Sequence, residues 1–181
     1  MHTKETYAKL EEVIRHYGEE LSRYSDEQFN SQRDELTWSV GQMYEHLLSS
    51  GYQLFFKKIK ACLSQQHGSW EGEKNKDGAR IFASGSFPPI KIKIPEAWLG
   101  PSPVAKPRDT YQASLLQFLS EARQLGSEIA QGDTGYKTNH VALGMLTASE
   151  WFQMIEIHFR HHLRQKNELD EYLRALTEIS S

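Results

Sequence analysis

The sequence predicts an all-α protein, a four-helix bundle in up-down-down-up order with a long crossover between the second and third helices. Three observations carry that expectation. Four long stretches repeat apolar residues at spacings of three and four, the signature of one buried helical face. Two of them open on capping boxes, Ser39 with Gln42 and Thr147 with Glu150. Between the second and third stretches, Gln65 to Arg108 is far longer than the 2–8 residues usual between antiparallel neighbours, long enough to carry the chain to the opposite end. A chain of 181 residues can bury a substantial core, and residues 1–181 read as a single domain.

The first helix is expected from about Lys4 to Tyr24, with Tyr7, Leu10, Ile14, Tyr17, Leu21 and Tyr24 on one face. The polar run from Ser25 to Asn30 breaks that pattern. The second helix starts after Ser39, with Trp38 and Met43 placed as a hydrophobic staple. It continues through Leu47, Leu54 and Ile59 to about Leu63. Eleven Gly and Pro residues then punctuate Gln65–Arg108 and exclude a long helix there. Within it Ile90, Ile92 and Ile94 alternate with lysines as a short extended segment would, and Trp70 and Trp98 are expected to cover the bundle.

The third helix opens at Asp109 or Thr110 and aligns Tyr111, Leu115, Phe118, Ala122, Leu125 and Ile129 before the run Gln131–Gly135 ends it. The fourth has the strongest start signal, the Thr147–Glu150 box with Leu146 and Trp151 as staple. Its stripe then runs Trp151, Ile155, His158, His162, Gln165, Leu169, Tyr172 or Leu173, and Leu176.

Composition narrows the function. A net charge of −3, with 21 basic residues scattered along the chain, leaves no electrostatic footprint for nucleic acid. The densest group, Lys57, Lys58 and Lys60, reads as the solvated end of a helix. No stretch approaches the ~18 apolar residues of a membrane span. The start, Met1-His2-Thr3-Lys4-Glu5, has no apolar leader core. The one cysteine, Cys62, cannot form an intrachain disulfide, which fits a reducing cytoplasm.

The chemistry sits in the stripe of the fourth helix. His158 and His162 are four apart and share a face, and they interrupt an otherwise apolar seam. Burying two imidazoles without partners costs a few kcal/mol, about 1–3 for each lost hydrogen bond, so the pair needs a joint reason. Metal ligation supplies one, because neutral imidazole is the commonest metal ligand. On the second helix His46, with Ser39, Met43 and Ser50 near its face, is the candidate third ligand. Three histidines would leave coordination positions open, the pattern of a catalytic site. The residues alone leave a second account open, in which these are core histidines hydrogen-bonded to backbone or water. His161, one position off, is expected to point sideways, and Arg160 and Arg164 toward solvent or the rim. Gln165 is a candidate outer-layer donor. His140 is expected as a surface histidine in a loop. Cys62 lies sixteen positions after His46, about 160° around at ~100° per residue, and is expected to be an inert packed thiol. His-Glu-x-x-His, Glu-x-x-His, Walker A and dinucleotide glycine motifs are all absent.

At these residues the chain resembles the DinB family, the YfiT-like metal-dependent enzymes. The carriers are Trp38-Ser39 with His46, then His140 through Thr147 leading into Glu150-Trp151, then His158-x-x-His161-His162-x-x-Gln165. The resemblance departs at Val141, where the family often has proline. It implies the up-down-down-up bundle, metal ligands at His46, His158 and His162, and a homodimer. It also implies, from some members, a thiol-dependent S-transferase or isomerase using bacillithiol, mycothiol or glutathione. The leading expectation is therefore a thiol-dependent S-transferase or a related detoxifying enzyme in which a divalent ion, zinc or nickel first and iron or copper also compatible with imidazoles, lowers the pKa of a small thiol that attacks an electrophile. Alternatives are a metal-dependent hydrolase, or a non-catalytic dimeric stress-response protein that only binds the metal. No general acid or base can be named.

Overall fold

The computed structural model describes residues 3–88 and 101–179, and its regular structure is overwhelmingly helical. Helix α1 spans Thr3–Leu21 and buries Leu10, Ile14, Tyr17 and Leu21 of the expected face, with Val13 beside them. The polar run after it holds a short helix, α2 (Asp26–Asn30), which periodicity passes over. Its start is local chemistry, a Ser25–Gln28 capping box bonded in both directions. Phe29, fully buried between the rings of Tyr24, Tyr44 and Tyr111, anchors it.

The second helical stretch begins as the sequence predicts. Ser39 caps α3 (Val40–Ser50) and the side chain of Gln42 accepts from the Ser39 amide at 2.9 Å. It then passes through a π-helical turn, Gly51–Phe56, before continuing as α4 (Lys57–Leu63). Gly51 permits the close approach here, since a Cβ would lie 2.3 Å from the ring of Phe118. The wider turn resets the helical phase. Phe55 and Phe56 therefore face inward, with Phe56 stacked on Phe118 at 4.8 Å, and Leu54, expected in the stripe, is 38% exposed.

Between Leu63 and Thr110 the described residues hold one short helix, α5 (Lys76–Ser84), capped by the Asn75 side chain. The expected extended segment at Ile90–Ile94, and Trp98, lie outside the described residues. Trp70 is 54% exposed and sits edge-on to Tyr136, so it covers that ring and not the helical core. Helix α6 (Thr110–Gly132) buries all six predicted residues. A β-hairpin, unforeseen in the sequence, follows: β1 (Lys137–His140) pairs antiparallel with β2 (Gly144–Thr147), Thr138 opposite Leu146. Gly144 turns with φ +86, and a Cβ there would meet the backbone of Glu73 and Asn75, which binds the preceding connection to the hairpin. The longest helix, α7 (Ala148–Ile179), starts on the predicted box. The Thr147 amide donates to Glu150, and the Glu150 amide to the Thr147 hydroxyl.

Packing pairs give the directions of neighbouring elements. Along α3–α4 and α6 they rise together: Glu45 with Tyr111, Gly51 with Phe118, Leu63 with Gly132. Along α1 and α7 they also rise together: Tyr17 with Phe159, Glu20 with Lys166, Tyr24 with Asp170. Between α3–α4 and α7 they run oppositely: His46 with His158, Phe55 with Trp151, Cys62 with Leu146. Among the described residues, no helix is long and apolar enough to cross a membrane.

Candidate metal centre

Two helices build the site. α3 carries His46 on its second turn, its start pinned by the Ser39 box, so the imidazole's height on the helix is set by local sequence. α7 carries His158 and His162 on successive turns, and because the two helices run oppositely His46 meets both. Its ring lies 5.0 Å from that of His158 and 4.9 Å from that of His162, with 4.7 Å between the latter two. The donor atoms all fall within 4.8 Å of one another, and the Nε2 atoms of His46 and His158 are 3.1 Å apart. Tetrahedral zinc with Zn–N of about 2.0–2.1 Å separates its donors by about 3.3 Å, so the closest pair is already near that spacing. Trp38 packs on the ring of His46 at 4.8 Å, and Phe55 stands edge-on to His158 at 5.3 Å. Trp38, placed as a staple in the sequence, is thus a wall of the site.

Electrostatics keeps the cluster uncharged. Burial pushes the His46 pKa down to about 3, with the neighbouring His162 adding to the shift. His162 falls to about 4, again through burial first, against an opposing pull from its bond with Gln165. His158 is held well below the ordinary imidazole value by burial and then by the other histidines. At neutral pH all three rings are therefore neutral, the state a metal requires. Two neutral imidazoles face each other at 3.1 Å, and the Nδ1 of His158 is buried with no hydrogen-bond partner. Buried polar groups are nearly always satisfied; this group is not satisfied by the protein alone. The converging donor set fits a divalent ion, and the three histidines could hold one.

The remaining candidates fall outside the cluster. The ring of His161 turns to Phe87 at 5.0 Å. Arg160 pairs with Glu156 at 2.6 Å and with the Gly85 carbonyl, and Arg164 with Glu168. Cys62 is buried against Thr138 and the Leu146 carbonyl, and burial raises its pKa, as an inert thiol requires. His140 is not the surface loop residue expected. It ends β1, half-buried over Trp151, accepts the Ala142 amide at 3.1 Å, and burial lowers its pKa to about 4. Gln165 is an outer-layer partner, 2.7 Å from His162 Nδ1, although its oxygen faces the ring, so it accepts where a donor was expected.

Fold and site together define a helical protein with a three-histidine cluster able to hold a metal ion. The model of the DinB superfamily matches residues 8–165, most of the chain and all of the cluster, and the protein belongs to that superfamily. No curated protein and no solved structure matches it.

Proposed function

We propose that this protein is a divalent-metal-dependent enzyme that transfers a small thiol to an electrophile, with His46, His158 and His162 as the ligands of zinc or nickel. The observation that carries the reading is the convergence of three neutral imidazoles on partly buried residues. When bound, a divalent ion lowers the pKa of a thiol so that thiolate forms at neutral pH. The chain's own residues orient and shield: Trp38 and Phe55 wall the rings, and Gln165 bonds His162. Among the described residues the converging group contains no carboxylate. Metal-assisted hydrolysis is the alternative reading, and it needs a base within reach of the attacking water.

The same reading takes α1, α3–α4, α6 and α7 as an up-down-down-up four-helix bundle in one domain, supported by the directions of the packing pairs. It takes the protein as a cytoplasmic homodimer.

The test is turnover of a chromogenic electrophile by the zinc-loaded protein with a panel of low-molecular-weight thiols. Thiol-dependent turnover abolished by chelation and by His162→Ala is expected. No turnover with any thiol, together with a melting temperature that falls on chelation, would instead favour a metal-stabilised binding protein.

A further inference from the structure

The three rings of the cluster are supported unequally. His46 Nδ1 lies 3.5 Å from the Ser50 hydroxyl, at the long limit of a hydrogen bond, and His158 Nδ1 has no partner. His162 Nδ1, by contrast, lies 2.7 Å from Gln165 Oε1. Gln165 stands three residues on along α7, one turn away on the same side. An amide oxygen can only accept, so the proton of a neutral His162 sits on Nδ1. A neutral imidazole carries one N–H, which leaves Nε2 with its lone pair as the atom free to ligate. His46 and His158 are held instead by rings, Trp38 and Phe55, which fix a plane but not a tautomer.

We infer that Gln165 is a positioning residue of the metal centre, selecting by its amide oxygen the His162 tautomer whose Nε2 can ligate. The inference rests on the reading of the three histidines as ligands. Its partner type is also informative. Metal-bound histidines often donate to a carboxylate; an uncharged amide does the same steering and leaves the positive charge of the centre undiminished.

The experiment is zinc titration against a chromogenic chelator on the wild-type protein and on Gln165→Leu, Gln165→Glu and His162→Ala. Gln165→Leu should lose about 10–100-fold in zinc affinity, the usual cost of removing such a partner. Gln165→Glu keeps the acceptor and should bind zinc at least as tightly as wild type. In ¹⁵N-histidine-labelled, zinc-loaded protein, a protected Nδ1–H of His162 should be visible and should disappear in Gln165→Leu. Wild-type affinity in Gln165→Leu, or a loss in Gln165→Glu equal to that in Gln165→Leu, would overturn the inference. Unchanged zinc binding in His162→Ala would instead overturn the ligand reading beneath it.

Discussion

One turn of α7 separates two buried polar groups that differ in kind. Lys166 is 1% exposed and saturated: its ammonium bonds Glu20 at 2.8 Å and Asp170 at 2.7 Å and lies over the Tyr24 ring. Tyr24 donates to the other Asp170 oxygen, and Arg23 pairs with the other Glu20 oxygen. Opposite charges meet, and each partner has an acceptor or donor facing it. At His46, His158 and His162, like meets like: three neutral rings, one nitrogen orphaned. The first cluster completes itself and ties α7 to α1. The second gathers three imidazoles and, among the described residues, no carboxylate of the chain joins the converging group. Self-sufficiency separates a structural polar cluster from a binding one more sharply than burial does.

That contrast can be broken at its strong end first. Lys166→Ala should cost about 3–5 kcal/mol, because it strands Glu20 and Asp170 without their counter-charge. Urea denaturation of the metal-free protein measures it, and a loss under 1 kcal/mol would show that water replaces the lysine.

At the histidine cluster the sign should reverse. His158→Leu removes the orphaned nitrogen and should leave the metal-free protein as stable as wild type, or up to about 1–3 kcal/mol more stable. Stabilisation by zinc, about 2.7 kcal/mol for wild type at a hundredfold excess over Kd, should vanish in the same variant. A destabilised metal-free His158→Leu would mean that the ring is structurally paired.

A pH series sharpens the comparison further. His46 and His162 titrate near 3 and 4 in the fold, and near 6.5 when unfolded. Above about 6.5 both states are neutral and no penalty exists. As pH falls from about 6.5 toward 4 the unfolded chain takes up protons that the folded one refuses, so the metal-free protein loses stability. His140 adds to the same window. Denaturation midpoints between pH 7 and 4.5 should fall, less steeply in His158→Leu; a flat profile would show that the rings protonate freely.

The smallest effect is expected for His161→Ala. Its ring packs on Phe87, outside the converging group, so zinc affinity measured on the purified variant should stay within about twofold of wild type. A loss matching that of His162→Ala would mean that α7 is rotated about its axis, since neighbouring helical residues lie ~100° apart.

Features that are local or periodic could be read from the chain alone. Ser39–Gln42 and Thr147–Glu150 announce two helix starts because a cap is closed within four residues. The shared face of His158 and His162 follows from a spacing of four, and the six buried residues of α6 from the same period. Family membership was legible in the ordered histidine, glutamine and tryptophan positions. The rest came from packing, because it depends on residues far apart in the chain or on a broken period. The π turn at Gly51–Phe56 exists where Phe118 comes against a glycine, and it moved Leu54 outward against a regular stripe. The hairpin at Lys137–Thr147 is pinned by Ser69 and Lys74 from another part of the chain. The saturation of Lys166 came from Glu20, and the meeting of His46 with His158 from antiparallel packing across 112 positions of sequence. Which buried polar residue has a partner, and which still needs one, is settled by packing and not by any period in the chain.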